Sequence, residues 1–194
     1  LGLEIGQFSP ASLLSDMPIT VALPRGYYQI GNFDEKNLGW LIYRKALANS
    51  RNVPAIHVLT KVGIENAYEL FRQLGLVNRE KPASYYGIGM AIGTIYVTLE
   101  DLVTAYGVLA NDGKAFKLRW FEDPPGMVAV SREERQDHAE QVMSKEVTRQ
   151  ISLFLSDPLA RLPTFPRMSA LEYPFPVAVK TGTSQGFRDA WALA

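Results

Sequence analysis

The sequence predicts an α+β fold, and three observations carry that expectation. Helical patterns alternate with short breaks up to about residue 113. From Lys114 the pattern turns strand-like. Near the end, three small apolar residues, Val177-Ala178-Val179, run straight into Lys180-Thr181-Gly182-Thr183 as an extended segment. At 194 residues the chain suits one domain, and a chain of that length buries roughly 70% of its unfolded surface. Residues 1–194 are therefore read as part of a single domain, with a mainly helical region over 1–113 and strands, a helix and a hairpin over 114–194.

Taken in order, the first helix is expected over Trp40 to Ala48 (WLIYRKALA), the second over Ala55 to Lys61, and the third over Glu65 to Leu74 with Gly75 just past its cap. Thr98-Leu-Glu-Asp101 has the spacing of an N-terminal capping arrangement, with Asp101 near the positive end of the helix it opens. That helix, LEDLVTAYGVLA, meets a left-handed stop at Asn111-Asp112-Gly113. Phe116 to Phe121 is a candidate strand. Ser144 begins a further amphipathic helix, KEVTRQISLFL. Five prolines between Pro158 and Pro176 forbid regular structure and deliver an extended chain to Val177.

Composition excludes several function classes. Lysine plus arginine and aspartate plus glutamate both number 20, so the formal net charge of zero gives no electrostatic reason for a nucleic-acid or anionic-membrane partner. No apolar run approaches the ~20 residues of a membrane span. With no cysteine there is neither a disulfide nor a thiolate metal ligand nor a cysteine nucleophile. His57 and His138 lie far apart without metal-ligand spacing, and Gly87-x-Gly89-x-x-x-Gly93 suits turns or close packing better than a phosphate. Arg132-Glu-Glu-Arg-Gln-Asp137 reads as a solvated charged face.

Two polar groups stand out. Asn49-Ser50-Arg51-Asn52-Val53-Pro54 follows the first apolar helix directly. Pro54 disfavours helical angles at Val53, so a short extended link is expected, with Ser50 and Asn52 on one side and Arg51 on the other. Taken alone, the group is better explained by ordinary cap residues, Ser50 ending the first helix and Asn52 capping the second. The second group is Lys180-Thr181-Gly182-Thr183. Alternation sends Lys180 to one face of its strand and both threonines to the other, while Gly182 lets another backbone approach. Such an edge offers amides for peptide pairing, hydroxyls for a carboxylate and a local positive charge. An exposed hairpin turning at Ser184-Gln185-Gly186 explains it as well.

Ser50-x-Asn52 followed much later by Lys180-Thr181-Gly182 resembles the second and third motifs of the penicillin-recognising serine acyl-transferases. AIHVL after the first group, the block YYGIGMAIGTIYVTLEDLVTAYGVLANDG, and FPVAVKTGTSQGFRDAW are similar to the transpeptidase domain of class A penicillin-binding proteins. Arg188-Asp189 and the lead-in SLLSDMP…GNFDEKNLG most resemble the 1C type. The resemblance covers nearly the whole chain.

The resemblance implies helices packed about an antiparallel sheet that is incomplete here, and a peptidoglycan D,D-transpeptidase acting on D-Ala-D-Ala stem peptides, with β-lactams as inhibitors. It gives Ser50 a proton-relay role, has Asn52 hold the substrate amide, and places Lys180 facing Ser50. Thr181 and Thr183 would bind the terminal carboxylate, with Gly182 giving the substrate close access to the strand and the Thr183 amide as an oxyanion donor. Ser50, Asn52, Lys180 and Thr183 are therefore expected in one cleft. No cofactor or metal is implied. The family setting is extracytoplasmic, with any membrane anchor and a glycosyltransferase domain upstream. One departure is severe: the family's nucleophile motif, Ser-x-x-Lys, occurs nowhere in the 194 residues. The chain thus reads as an internal fragment whose nucleophile precedes Leu1, inactive alone. A hydrolytic β-lactamase is disfavoured, because no Glu-x-x-x-Asn occurs. A D,D-carboxypeptidase, and a non-catalytic module that binds stem peptides or β-lactams, remain the alternatives.

Overall fold

The computed structural model describes residues 1–23, 26–77, 80–118, 120, 139–184 and 188–194. Its architecture is α+β. Two antiparallel strand pairs lead: β1 (Leu13–Asp16) with β4 (Gly39–Ile42), and β2 (Ile19–Leu23) with β3 (Gly26–Ile30). Helices α1 (Tyr43–Ala48), α2 (Asn52–Val62), α3 (Ile64–Gln73) and α4 (Ala83–Tyr86) follow, then a 3₁₀ helix over Gly87–Ile92 and α5 (Leu99–Ala110). The remainder comprises β5 (Lys114–Ala115) paired with β6 (Glu140–Gln141), α6 (Lys145–Ser156), and the hairpin β7 (Lys180–Thr183) with β8 (Ala190–Leu193). Among the described residues the strands form four separate two-stranded antiparallel sheets. No helix there is long and apolar enough to cross a membrane.

Helix α2 organises the core. Val53, Ile56, Leu59 and Val62 recur every three residues and are all buried, so one continuous face of the helix is apolar. Its N-terminal half packs on Ile30 with Ile19, Val21 and Ile88. Its C-terminal half packs with Ala67 and Met90. Gly63, at φ 89°, ends it and turns the chain into α3. A second cluster, Leu3, Val147 and Phe154 with Tyr43 and Leu47, joins α1 to α6.

Several elements follow their local signals. Thr98 and Asp101 form a reciprocal capping box at α5, with the Asp101 amide donating to Thr98 Oγ1 at 3.1 Å. Ser144 Oγ accepts from the Val147 amide at the start of α6. Gly75, at φ 75°, closes α3: its amide donates to the Arg72 carbonyl and the Leu76 amide to that of Phe71, the paired bonds of a Schellman motif. Residues 158–176 contain no helix or strand.

Other expectations are corrected. Trp40-Leu41-Ile42 is strand β4, not helix, because it pairs with Ser15, Leu14 and Leu13; α1 starts only at Tyr43. A short apolar run fits both periods, and a partner strand decides between them. Most of residues 13–42 is thus strand, and the helical region begins at Tyr43. Val53 is helical despite Pro54, since Pro54 occupies the first turn of α2, where a missing N–H costs nothing. The candidate strand at Phe116–Phe121 is absent from its described positions; the strand found nearby is β5, Lys114–Ala115, just before it. Phe116, Lys117 and Leu118 have no regular structure, and residues 119 and 121 lie outside the described residues. The charge cluster at 132–137, His138 and most of the turn at 184–186 also lie outside them. Gly87 and Gly89 fall in the 3₁₀ helix, and a Cβ on Gly89 would meet Thr94 Oγ1 at 2.5 Å, so that glycine serves close packing.

Candidate active site

The site is assembled by two segments far apart in sequence. Helix α1 ends at Asn49, and Ser50 follows in the left-handed conformation at φ 56°. The Ser50 amide donates to the Leu47 carbonyl at 3.0 Å and the Arg51 amide to the Ala46 carbonyl at 3.1 Å. These are the same paired bonds that close α3, with serine where α3 has Gly75. The expected extended link is therefore a tight reversal, and α2 restarts at once with Arg51 as its N-cap.

The second segment is fixed from below by two helices. Tyr106 of α5 donates its hydroxyl to the Ala178 carbonyl at 2.7 Å. Burial pushes that hydroxyl up to about 12, so it stays a donor across the neutral range. The Val179 amide donates to the Leu155 carbonyl near the end of α6 at 3.1 Å, and the Val179 side chain is buried. Lys180 then enters β7 in register with Leu193, and Thr181, Gly182 and Thr183 pair with Ala192, Trp191 and Ala190. The hairpin is closed by Ser184, whose amide and hydroxyl bond the backbone and carboxylate of Asp189.

The two segments meet. Lys180 Nζ donates to Ser50 Oγ at 2.6 Å and to the Thr181 carbonyl at 2.6 Å. Both partners are neutral oxygens, and burial lowers the Lys180 ammonium from its ordinary range to about 8. An amine titrating so near neutrality is present in both its charged and free forms near pH 8. It can therefore give a proton to a bonded hydroxyl, or take one from it, as that hydroxyl passes a proton on to, or receives one from, a third group. The pair can therefore move a proton toward or away from a third group that reaches Ser50 Oγ.

The other predicted site residues are placed as follows. Asn52 is the first residue of α2, and its side-chain amide donates to the Gly31 carbonyl at 3.2 Å. It is not the cap: Asn32 caps α2 from outside, its Oδ1 accepting from the Asn52 amide at 2.9 Å and the Val53 amide at 3.4 Å. On β7, Thr181 is half-buried, whereas Gly182 and Thr183 are exposed. Alternation sets Lys180 and Gly182 on one face and the two threonines on the other.

Sequence reasoning missed the group that holds the loop. Arg51, 4% exposed, donates from Nε to Asp16 Oδ2 at 2.9 Å, from one terminal nitrogen to Asp34 Oδ2 at 2.9 Å, and from the other to the Lys36 carbonyl. Asp16, wholly buried at the end of β1, also accepts from Asn32 Nδ2 at 2.7 Å and from the Leu38 amide at 2.9 Å. Burial pushes the Asp34 carboxyl up, but the Arg51 hydrogen bond and charge, with backbone amides, outweigh it and hold it below its usual range. Asn49 was missed too. Its side chain donates to the carbonyls of Lys45, Ala160 and Leu162 and accepts from the Thr164 amide. The available signal was the density of Asn and Asp in SLLSDMP and GNFDEKN, ahead of an arginine between two motif residues.

The family model described as "Penicillin binding protein transpeptidase domain" matches residues 1–190. The chain is 35% identical over 193 residues to penicillin-binding protein 1C of Escherichia coli, covering all of this chain and 23% of that protein. It is 39% identical over 163 residues to penicillin-binding protein 1A of Aquifex aeolicus, covering 82% of this chain and 21% of that one. Its sequence thus spans less than a quarter of the length of these relatives. Among solved structures, a peptidoglycan glycosyltransferase from Burkholderia ambifaria superposes with a TM-score of 0.74 at 18% identity, over 94% of this chain and 59% of that chain. Penicillin-binding protein 1A from Haemophilus influenzae gives 0.71 at 19% identity, over 95% and 33%. At such identities the structures attest the fold, while the matching family model and the relatives carry the lineage. The chain belongs to the penicillin-binding protein transpeptidase family.

Proposed function

We propose that this chain supplies the proton-relay and carboxylate-binding parts of a peptidoglycan D,D-transpeptidase. The observation that carries the reading is the 2.6 Å contact between Lys180 Nζ and Ser50 Oγ, two side chains 130 positions apart. In this reading a serine from a Ser-x-x-Lys segment attacks the carbonyl between the two terminal D-alanines of a stem peptide. The lysine of that segment takes the serine's hydroxyl proton, a C–O bond forms to the serine, and the C–N bond breaks. Ser50 delivers a proton to the departing amine and is resupplied through Lys180. Asn52 bonds the substrate amide. Thr181 and Thr183 take the terminal carboxylate beside Gly182, and the Thr183 amide donates to the oxyanion, a contribution of about 3 kcal/mol to the barrier. An amine from a neighbouring strand then takes the acyl group. A β-lactam enters the same path and stalls at the acyl-enzyme. Such chemistry belongs outside the cytoplasmic membrane, where stem peptides are cross-linked.

Intact-mass measurement after incubation with a reactive β-lactam tests the reading. The 194-residue chain is expected to form no adduct, and a chain extended upstream to a Ser-x-x-Lys is expected to gain one drug mass. An adduct on the short chain would mean that one of its own serines is activated. No adduct on the extended chain would favour a binding module without turnover. Transfer to water alone, even with a D-amino acid acceptor present, would make the protein a carboxypeptidase.

A further inference from the structure

The Ser50 loop poses a question that proton relay does not answer: what keeps a serine in a left-handed conformation that a glycine adopts freely? Helices α1 and α3 end with the same pair of backbone bonds. At α3 the left-handed position is Gly75; at α1 it is Ser50, at φ 56°. The residue after Gly75 is Leu76, with no charged side chain. The residue after Ser50 is Arg51, whose guanidinium is spent on two carboxylates and a carbonyl drawn from β1 and from the stretch after β3. Asn32 links the Asp16 carboxylate to the first amides of α2, so the residues just after Arg51 are held by the same cluster.

We propose that Arg51, held by Asp16, Asp34 and the Lys36 carbonyl, is a positioning residue that keeps Ser50 in its left-handed conformation and so aims the Ser50 hydroxyl at Lys180. The planar guanidinium suits this task because three separate acceptors fix its orientation, which an ammonium on a flexible stem does not reproduce. The burial of Lys180 against Ser50 fits the same picture, since water reaches the amine if the serine swings away. The consequence for catalysis rests on the transpeptidase reading; the positioning itself does not.

The test uses the full-length protein with Arg51→Lys and Asp34→Ala, and with Asp112→Asn as a control that breaks exposed ion pairs to Lys145 and Arg149, which touch neither Arg51 nor Lys180. Asp34 is partly exposed, so its variant keeps the test open if Arg51→Lys fails to fold. The titration of Lys180 is followed through its ¹³C-labelled ε-carbon, assigned with Lys180→Arg, alongside the melting temperature and the rate of acylation by a β-lactam. Expected is an upward move of the Lys180 titration by about one pH unit in both variants, with acylation slowed about 10-fold or more, and neither change in the control. Lower melting temperatures with an unmoved Lys180 titration would overturn the proposal, because Arg51 would then serve the fold alone. If Lys180 moves but even the unaltered protein forms no acyl adduct, the positioning stands and the transpeptidase reading falls.

Discussion

Ser50 and Lys180 show how much one residue's backbone and one residue's burial can decide. A non-glycine residue in the left-handed region costs about 1–2 kcal/mol. Glycine relieves that strain but adds about 0.5–1 kcal/mol of unfolded-chain entropy. With the hydroxyl removed in both cases, Ser50→Gly should therefore be more stable than Ser50→Ala by up to about 1 kcal/mol. That order is the reverse of ordinary helical positions, and urea unfolding of the two variants checks it; an alanine variant as stable or more so would contradict the strain. For Lys180 the sign follows from burial. Its folded value near 8 lies below the ordinary 10.5 of the unfolded chain, so between those values the unfolded state holds the extra proton. Stability should rise with pH across that window and be insensitive to Lys180 below it. Denaturant melts at pH 7 and pH 10 should show this rise, and Lys180→Met should flatten it.

At the scale of elements, the helix ends differ in what their glycines face. A Cβ on Gly75 would meet open space, whereas on Gly113, at φ 90°, it would lie 1.9 Å from the Met143 carbonyl oxygen. Gly75→Ala should cost about 1 kcal/mol, conformational strain alone. Gly113→Ala adds a backbone clash and should cost about 3 kcal/mol or more, parting β5 from the segment before α6. Thermal unfolding of the pair gives the comparison. These ends were legible in the sequence because their signals are local: Gly75 and Asn111-Asp112-Gly113 stop helices, and Thr98 with Asp101 starts one. Trp40-Leu41-Ile42 was not, because its conformation is set by Leu13–Ser15, some twenty-five residues earlier. Pro54 misled for a related reason. Its effect on Val53 yields when the Asn32 side chain, from the stretch after β3, caps the helix. The meeting of Ser50 with Lys180 was foreseen through motif order; the destination of Arg51 was not, since nothing local distinguishes a buried arginine from a solvated one.

Across the whole molecule, the two halves of the site are tied by few but well-satisfied polar residues. Asn49 spans separations of 111 to 115 positions with three of its four bonds, to Ala160, Leu162 and Thr164, and is 1% exposed. Asn49→Ala would leave three carbonyls and an amide without that partner, and should cost about 3 kcal/mol. It should also slow any reaction that depends on the Ser50–Lys180 pair, because the 158–176 segment that leads to Lys180 loses its anchor on α1. Equilibrium unfolding and the acylation rate, measured together, check both effects.

The order of residues in the Arg51 cluster has a consequence for how the protein is made. Asp16, Asn32, Asp34 and Lys36 all precede Arg51, so the clamp is complete in sequence once α2 has been synthesised. Lys180 comes 130 residues after Ser50, which at about 5–20 residues per second means a delay on the order of ten seconds. During that interval the serine can already be set in its final geometry, so the late strand docks on a prepared partner. In ribosome-bound chains halted after α2, the Asn52 and Val53 amides should therefore already be protected from hydrogen exchange, before Val179 has been made. The early segment acts as a template, and the Ser50–Lys180 contact comes into being only when β7 arrives to complete it.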